Sequence, residues 1–376
     1  MRATRALIHL DNLRHNIREV KRHIGSSIQM CMAVKADGYG HGAVEIARTA
    51  VEAGVEWLGV ATLDEGIEIK NAGIPAPVLM LSLPLPEEAE AIAACGLSTV
   101  AGDIQLLKLL EAAGKKQGSP VQVHLKVDCG MGRIGCRPSE APELARYIQE
   151  SGHISLEGIC THFPLSDKKE KGATEYHYSL FEQVIENIKT AGIDPGILHA
   201  ANSGAIVDMK ASYLSMVRPG IILYGYYPSS EQERVIDVKP VMELESRIVY
   251  LKEVPEGTGI SYGHTYTTPG KRVIGTVPAG YGDGYSRILS NKAKVLIKGR
   301  LYPVAGTVCM DQFMVDLGSE TDVMLYDRVV LFGPDSAGPS AETLAELMGT
   351  ISYEITCRID KRVPRIYLKN ESPADE

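Results

Sequence analysis

Several features that assign a protein class at a glance are missing from this chain of 376 residues. No uninterrupted apolar stretch is long enough to span a membrane. The net charge is −8, and no basic or aromatic-basic run offsets it, which argues against a general nucleic-acid binder. Asp11, Arg14 and His15 interrupt the segment after the basic N-terminus, so no secretory signal is predicted. We therefore expect neither a membrane nor a nucleic acid as partner.

Paired cysteines are also missing. The seven cysteines are an odd number and lie scattered without CxxC spacing, which predicts neither a disulfide framework nor a zinc site. Cys31, Cys160 and Cys309 lie inside apolar runs, where cysteine is usually a small core residue. We expect a reducing, cytoplasmic location and no metal.

Length and composition predict two domains with substantial cores, since 44% of the residues are hydrophobic. In the first part of the chain, short apolar runs alternate with stretches of helical spacing. The eight runs are residues 28–35, 57–62, 78–81, 97–101, 121–128, 156–162, 197–202 and 216–224. Alternation of buried strands and helices predicts parallel pairing. Eight units in about 200 residues favour a closed (β/α)8 barrel over an open sheet.

The pattern changes at residues 227–238, which contain proline, serines and charges and which we interpret as a linker. Short strand-like runs follow it, and almost no helix is predicted among them. They are residues 241–251, 273–278, 293–297, 302–309, 313–317 and 328–332, then a helix at 341–348, with runs 351–359 and 363–368 closing the chain. Many short strands separated by turn residues predict a mostly antiparallel β domain.

The decapeptide AVKADGYGHG, residues 33–42, ends the first apolar run in a lysine and then opens into glycines, with a helix predicted from about His41. A buried lysine readily loses basicity, which suits nucleophiles, general bases and Schiff-base formation. A lysine that caps a strand and extends to solvent is the alternative. Lys35 is thus a candidate catalytic residue, and the residues predicted to lie near it decide between the two interpretations.

Other unusual residues follow later strands of the predicted barrel, whose carboxyl ends meet at one mouth. They are Lys126 and Arg133 where the fifth strand ends, His162 at the end of the sixth, Asn202 and Ser203 at the end of the seventh, and Arg218, Gly220 and Ile221 at the end of the eighth. The Ser203 hydroxyl and the glycine loops, beside N–H groups that open a helix, predict a phosphate site. No GxxxxGK[ST] motif is present, so a lysine beside a phosphate site indicates pyridoxal phosphate rather than a nucleotide.

Each of these residues also has an ordinary structural interpretation. Gly130 and Gly132 are compatible with plain turns, Arg218 with a surface ion pair, and His162 with a hydrogen-bonded core histidine. Their convergence on one mouth is what favours the functional interpretation.

The decapeptide resembles the pyridoxal-phosphate attachment motif of alanine racemases, which are fold type III enzymes. Later segments match the family in the same order and span nearly the whole chain. They read KVDCGMGRIG, THF, NSGA, RPGI, SYGHTY, PAGYGDGY, GTVCMDQ and SYEI. The resemblance implies an isomerase that interconverts L- and D-alanine and supplies D-alanine for peptidoglycan in the cell wall.

The same resemblance implies how the chain is organised. Residues 1–10 would form a strand that joins the C-terminal domain, residues 11–238 the barrel that binds the cofactor, and residues 239–376 the β domain. The enzyme would be a homodimer in which each active site takes residues from both subunits.

By this resemblance Lys35 holds the cofactor and acts as base on one face of the substrate Cα. Tyr262, contributed by the partner subunit, is the base on the opposite face. Racemisation needs two such bases because a proton removed from one face must return to the other. A free phenol, with a pKa of about 10, is a poor base at neutral pH. His162 would therefore assist by linking Tyr262 to Arg218.

Arg218 would face the pyridine nitrogen of the cofactor. A guanidinium group only donates hydrogen bonds and stays charged, so it should keep that nitrogen unprotonated. Decarboxylases of the same barrel family place a carboxylate there. An arginine in this position favours racemisation over loss of CO₂.

The remaining roles are also implied by the resemblance. Besides Lys35 and Arg218, the cofactor would be held by Tyr39, Asn202, Ser203, Gly220, Ile221 and Tyr353. Arg133 would meet its phenolic oxygen. Lys126, at a position that is often a carbamylated lysine in the family, would orient Arg133, and an ordinary or chloride-paired lysine is the alternative. Met310 would receive the substrate carboxylate through its N–H, with Asp311 adjacent. Tyr281 and Tyr353 would narrow the entrance for a small amino acid.

Two departures from the family pattern leave the substrate open. Cys129 stands where threonine is usual, and Pro164-Leu165-Ser166 replaces an alanine-rich stretch. A serine or broad-specificity racemase of the same fold is therefore the alternative to an alanine racemase. A pyridoxal-phosphate carrier without catalysis is a third hypothesis, which the predicted β domain disfavours. A decarboxylase is the fourth, disfavoured by Arg218.

Overall fold

A computed structural model describes residues 2–369. Residue 1 and residues 370–376, which the predicted ranges 1–10 and 239–376 include, lie outside the described residues. The chain opens with strand β1 (Arg5–His9) and helix α1 (Leu10–Ile24). Leu13, Ile17 and Val20 recur at helical spacing and are fully buried, so this helix is held by one apolar face.

Eight parallel strands then form one sheet, in which each strand pairs with its neighbours along the order β8-β7-β6-β5-β4-β3-β2-β9. They are β2 (Gln29–Ala33), β3 (Trp57–Val60), β4 (Val78–Met80), β5 (Ser98–Ala101), β6 (Val121–Lys126), β7 (Ile154–Cys160), β8 (Ile197–His199) and β9 (Met216–Val217). Ser215 N donates to Leu198 O at 3.0 Å and Arg218 N to Ala201 O at 2.8 Å. These bonds join β8 to β9, so the sheet closes. The predicted barrel is confirmed.

Helices follow most barrel strands and cover the outside of the barrel. They are α2 (Lys35–Tyr39), α3 (Ala43–Glu52), α4 (Leu63–Asn71), α5 (Ala89–Cys95), α6 (Ile104–Gln117), α7 (Ala141–Glu150), α8 (Gly172–Thr190) and α9 (Ser203–Asp208). Helix α8 buries Phe181, Val184, Ile185 and Ile188 on one face, as its spacing predicts. The helix expected from about His41 begins at Ala43.

Residues 227–238 form neither helix nor strand. The strands beyond them belong mainly to two sheets. They are β10 (Met242–Arg247), β11 (Tyr250–Val254), β12 (Gly259–Ile260), β13 (Tyr266–Thr267), β14 (Arg272–Val277), β15 (Lys294–Ile297), β16 (Arg300–Pro303), β17 (Phe313–Asp316), β18 (Arg328–Phe332) and β19 (Arg365–Leu368), with helices α10 (Ala341–Met348) and α11 (Ser352–Cys357).

The larger sheet has the order β16-β15-β18-β10-β1-β19, and the smaller has the order β11-β14-β17. All pairs in them are antiparallel except β1 with β19. The predicted mostly antiparallel domain is therefore confirmed. The first strand of the chain pairs with β10 and β19, while the domain limits at residues 10 and 238 stay a prediction.

Three of the predicted runs in this domain differ in detail. Residues 241–251 form two strands in different sheets, because Ile248 N bonds Asp327 O while Val249 N bonds Thr276 O. The run 302–309 is a strand only as far as Pro303, and Gly306 beyond it has φ +82°, which ends an extended conformation. The run 351–359 contains helix α11.

Two further absences hold for residues 2–369. No helix among them is long and apolar enough to cross a membrane. They also contain no cluster of three or more histidine, cysteine, aspartate or glutamate side chains that could hold a metal ion.

Candidate active site

A cavity of about 470 Å³ opens where the barrel strands end. All the predicted site residues of the barrel line it. These are Lys35, Tyr39, Lys126, Arg133, His162, Asn202, Ser203, Arg218, Gly220 and Ile221, joined by Tyr353 from helix α11 of the β domain. The strand-end rule thus brings ten side chains or backbone groups to one place, and the β domain adds Tyr353.

Lys35 lies two residues beyond β2, at the start of an unusual turn. Residues 36–39 all have positive φ, between 52° and 59°, which makes one turn of left-handed helix. This conformation costs about 1–2 kcal/mol for each non-glycine residue. Asp37 Oδ1 accepts from Ala43 N at 2.8 Å, and Glu65 Oε1 from Ala36 N at 2.7 Å. These bonds hold the strained turn, so the Lys35 backbone is fixed.

Aromatic side chains pack in and around the same turn. The ring of Tyr39 stacks on that of Tyr224 with centroids 4.7 Å apart, and the Tyr224 hydroxyl donates to Ala33 O at 3.0 Å. The Nδ1–H of His41 donates to the carbonyls of Gly38 and Tyr39 at 3.0 and 2.9 Å. Burial lowers the pKa of His41 to about 4, so its ring is neutral.

The Lys35 amine is half-buried in this cavity. Burial lowers its pKa, and the nearby Arg133 guanidinium lowers it further, against smaller opposing effects of Glu65 and Cys357. A lysine in this state has a larger share of the neutral amine, which is the form that acts as nucleophile or base.

The loop after β6 presents Arg133 to the cavity. Asp128 Oδ1 accepts from Gly130 N at 3.0 Å and from Gly132 N at 3.1 Å, so these amides are used within the loop. The prediction that this glycine loop helps to bind a phosphate stays a prediction. Lys126, at the end of β6, is only 4% exposed, and burial lowers the pKa of its amine.

The other groups predicted to bind a phosphate lie between β8, β9 and the Lys35 turn. Ser203 Oγ accepts from Gly220 N at 2.8 Å. The side chain of Asn202 caps α9 by accepting from Ala205 N at 3.1 Å. A Cβ on Gly220 would lie 2.5 Å from the Tyr39 hydroxyl, so only glycine lets that hydroxyl approach. Two hydroxyl groups and a bare backbone thus converge here.

Arg218 is 7% exposed and makes four hydrogen bonds. Its Nη2 donates to Thr161 O at 2.7 Å, to Ala200 O at 2.9 Å and to His162 Nδ1 at 3.3 Å, and Nη1 donates to His199 Nδ1 at 2.7 Å. Burial lowers the pKa of Arg218, but a guanidinium stays charged at neutral pH. Burial and the Arg218 charge hold the pKa of His162 well below its usual range. His162 is therefore neutral and carries its proton on Nε2.

Sequence reasoning missed the interior histidines. His199 ends β8 and is fully buried against Arg218; the same strand-end rule that selected His162 also selects it. His124 lies in the middle of β6 and is likewise buried, and nothing in its spacing distinguishes it from a core residue.

The structure places the predicted residues of the β domain elsewhere. Tyr262, Tyr281 and Met310 are 74%, 43% and 53% exposed, and none of the three lines the cavity that contains Lys35. Tyr262 is held in a strained turn between Ser261, with φ +65°, and Gly263, with φ +73°. The link between Tyr262 and His162 expected from the resemblance is not made among the described residues of this one chain.

These exposed residues nevertheless belong to one surface. Thr307 Oγ1 donates to Tyr262 O at 2.9 Å, and the same loop continues to Met310, whose carbonyl accepts from Gly282 N at 2.9 Å. Arg362 pairs with Asp311 at 2.9 Å. Among residues 2–369 the N–H of Met310 has no hydrogen-bond partner. We call this the β-domain surface: Tyr262, Tyr281, Met310 and Asp311.

Two family models match the chain. The alanine racemase N-terminal domain matches residues 8–228, and the alanine racemase C-terminal domain matches residues 241–367. Together they cover nearly the whole chain. Their gap coincides with the irregular segment between the barrel and the β strands.

Proteins named alanine racemase are similar over almost their full length. That of Treponema denticola is 44% identical over 375 residues, which are 98% of this chain and 99% of the relative. That of Halothermothrix orenii is 45% identical over 367 residues, 97% of each chain. The solved structure of the Clostridium difficile alanine racemase superposes with a TM-score of 0.94 at 39% identity, covering 98% of this chain and 97% of that one. A structure of the same protein described as a complex with cycloserine has a TM-score of 0.92 at 38% identity, covering 99% and 97%.

Proposed function

The chain belongs to the alanine racemase family, and we propose that it interconverts L-alanine and D-alanine with pyridoxal 5′-phosphate as cofactor. The observation that carries the proposal is the meeting of the Lys35 amine and the buried Arg218 guanidinium in one cavity. The D-alanine would supply peptidoglycan of the cell wall. All seven cysteines are free thiols, which supports a reducing compartment, and we place the reaction in the cytoplasm.

The residues of the cavity fit pyridoxal 5′-phosphate. The Lys35 amine is the attachment point, and the phosphate would be held where the Ser203 and Tyr39 hydroxyls meet the bare backbone of Gly220. Further contacts would come from Asn202, Ile221 and Tyr353. When bound, this cofactor withdraws electrons from the Cα of the amino acid, so that its proton can be removed.

Two bases on opposite faces of that Cα would exchange its proton. Lys35 Nζ acts on one face, where its lowered pKa keeps neutral amine available. The phenolic oxygen of Tyr262 acts on the other face. A single base could return the proton only to the face from which it came, so inversion depends on both groups.

Tyr262 would come from a partner subunit, which makes the protein a homodimer with shared sites. Two observations support this: Tyr262 is 74% exposed in its own chain, and the Met310 N–H is left without a partner among the described residues. In the dimer Met310 N–H would receive the substrate carboxylate beside Asp311, and Tyr281 would narrow the entrance. The neutral His162, with its proton on Nε2, would donate to the phenolic oxygen and stabilise the phenolate.

Arg218 decides which bond of the substrate reacts. As a charged group that only donates hydrogen bonds, it would contact the ring nitrogen without protonating it. Limited electron withdrawal favours prompt return of the proton over loss of CO₂. Arg133 would bind the phenolic oxygen of the cofactor.

We propose that Lys126 orients Arg133 as a carbamate. A carbamate forms from a neutral amine and CO₂, and burial lowers the pKa of Lys126 toward that neutral form. A mass increase on the Lys126 peptide that is lost on acidification would support this, and an unmodified lysine at saturating bicarbonate would contradict it.

The test of the function is a panel of L- and D-amino acids incubated with the purified chain and analysed by chiral chromatography. We expect alanine to be racemised fastest in both directions. Faster turnover of serine would contradict the proposed substrate and support the broader-specificity alternative. Release of CO₂, or no racemisation of any amino acid, would contradict the reaction itself.

A further inference from the structure

Four side chains form a hydrogen-bonded chain through the barrel interior. Arg218 Nη1 lies 2.7 Å from His199 Nδ1, His199 Nε2 lies 2.8 Å from His124 Nδ1, and His124 Nε2 lies 3.1 Å from Glu157 Oε2. Both histidines are fully buried, and the Glu157 side chain is 22% exposed. The chain thus joins the cavity to a carboxylate on β7 that the proposed mechanism does not use.

The direction of every bond follows from the group at its end. Arg218 can only donate, so His199 Nδ1 must accept and the His199 proton lies on Nε2. His199 Nε2–H then donates to His124 Nδ1, which therefore carries no proton. His124 donates in turn from Nε2 to Glu157. While the chain is intact both imidazoles are neutral, and the contact of His124 with Glu157 is a hydrogen bond to a carboxylate rather than an ion pair.

Glu157 supplies a negative charge, which is missing among the direct contacts of Arg218. The hydrogen-bond partners of Arg218 are two carbonyls and two imidazoles, with no carboxylate among the described residues. Burial raises the pKa of Glu157, but hydrogen bonds from His124 and Ser98 outweigh burial and lower that pKa. Glu157 is therefore an anion at neutral pH, and the two polarisable rings connect it to the buried cation.

The barrel is shaped to hold this chain. The pairing of β6 with β7 shifts register between Val123 and His124, and a Cβ on Gly158 would lie 2.6 Å from His124 Nδ1. The indole of Trp57 meets the His124 ring edge-on at 5.7 Å and 80°. A glycine and an irregular register thus give the imidazole its space.

We propose that Glu157 is a positioning residue for Arg218, acting through His124 and His199. It fixes the proton positions along the chain and so holds the guanidinium toward the cavity in one orientation and charge state. The inference rests on the proposed function only for what Arg218 does there; the proton positions stand on the geometry alone.

Trp57 provides a direct readout, since it is the single tryptophan of the sequence and a protonated imidazole quenches indole fluorescence. In the full-length chain freed of cofactor, we expect Trp57 fluorescence to be constant from about pH 8 down to about pH 5.5. Besides His199 and Glu157, the charged groups near these side chains are Arg218, which stays charged in this range, and Lys126. Because the carbamate proposed on Lys126 would be lost on acidification, the same scan of Lys126→Met separates the contribution of that residue. A fluorescence step in this range would overturn the proposal.

Removing His199 breaks the hydrogen-bonded chain and should make the Trp57 fluorescence depend on pH. His199→Leu frees His124 Nδ1 to take a proton and pair with Glu157, so we expect a fluorescence step that the unmodified protein lacks. Adding Glu157→Gln should move the step at least about one pH unit lower, because the anion is gone. An unchanged step would contradict the role of Glu157.

A second measurement uses the unmodified protein, so it does not depend on whether a variant folds. Long-range ¹H–¹⁵N correlation spectra of the unmodified chain should show both histidines as neutral rings with the proton on Nε2. A proton on Nδ1 of either ring, or an imidazolium at pH 7, would overturn the assigned direction.

The consequence for the enzyme is tested with Glu157→Gln, which keeps an acceptor oxygen and removes the charge. We expect kcat for alanine to fall about tenfold while KM changes less than about twofold, since Arg218 and not the substrate loses support. The control is Glu111→Gln, whose carboxylate accepts from Ser151 and Tyr147 outside the barrel. Unchanged kcat in Glu157→Gln would contradict the proposal. If the unmodified protein racemises no amino acid, the proposed function is contradicted. The fluorescence and the spectra still test the proton positions on His199 and His124 in that case.

Discussion

The barrel mouth and the β-domain surface hold the two halves of one proposed site in opposite ways. At the mouth, Lys35 and Arg218 are enclosed by strand ends, and their neighbours make many buried hydrogen bonds. On the β-domain surface, Tyr262 and Met310 are more than half exposed. One half is complete within the chain, and the other needs something to cover it.

The two regions differ in the energetic cost of holding their functional side chains. The mouth must hold a half-buried lysine and a buried arginine, so its cost is desolvation and strain, carried by a left-handed turn and by Arg218. The β-domain surface keeps its tyrosine in solvent on a turn with positive φ. Changes at the mouth should therefore affect folding and chemistry together, whereas changes at the surface should affect chemistry alone.

The largest effect is expected at the mouth. Lys35→Ala removes the attachment point and one of the two bases, so racemisation should fall by at least about 10⁴-fold in both directions. Chiral chromatography of both reactions measures it. A variant that keeps more than about one per cent of the activity would contradict the role of Lys35.

A smaller loss is expected on the β-domain surface. Tyr262→Phe removes only a hydroxyl and should slow racemisation about 10²- to 10⁴-fold, with the unfolding midpoint unchanged because that side chain is exposed. Tyr250→Phe is the matched control, since Tyr250 is 58% exposed in the same domain but outside the surface. Equal activity of the two variants would remove Tyr262 from the mechanism.

Backbone strain distinguishes the mouth from an open turn of the β domain. Gly40 has φ +84°, and a Cβ there would overlap the carbonyl oxygen of Thr356, so Gly40→Ala should lower the free energy of unfolding by about 3 kcal/mol. Gly299, in the β15–β16 turn, has φ +75° and open space around it. Gly299→Ala should cost only about 1 kcal/mol. Urea unfolding of both variants measures the difference, and equal losses would contradict the close packing of the mouth.

The pH dependence of stability tests the buried mouth in a different way. His41 has a pKa of about 4 in the folded chain, against 6.5 when unfolded. As pH falls from 6.5 to 4 the unfolded chain takes up a proton that the folded chain does not, so the free energy of unfolding drops by about 3 kcal/mol. His41→Asn should remove that part of the slope. An unchanged slope in His41→Asn would count against the buried, neutral His41.

Much of the mouth was predictable because it obeys one simple rule. Strands of a barrel end on one face, so Lys35, His162 and Arg218 could be brought together from the positions of apolar runs alone. The β-domain surface could not be reached in this way. The roles of Tyr262 and Met310 came from resemblance, since nothing in the spacing of an exposed tyrosine distinguishes it from any other.

What the sequence could not show are features set by contacts between distant residues. Asp128 uses the amides of Gly130 and Gly132, a competition that glycine spacing does not reveal. The strand predicted to continue past Pro303 ends because the chain turns at Gly306. The hydrogen-bonded chain from Arg218 to Glu157 includes His124, which lies at a register shift between β6 and β7. No periodicity of the sequence encodes such a shift.

The central claim is that each site joins the mouth of one chain to the β-domain surface of another. Mixing Lys35→Ala chains with Tyr262→Phe chains under conditions that allow subunits to exchange tests it directly. A mixed dimer has one intact site, so random assortment should restore about one quarter of the activity of the unmodified protein. Recovery to that level from two nearly inactive parents is the expected result. No recovery, although mixed dimers form, would show that Tyr262 serves its own chain and would contradict the claim.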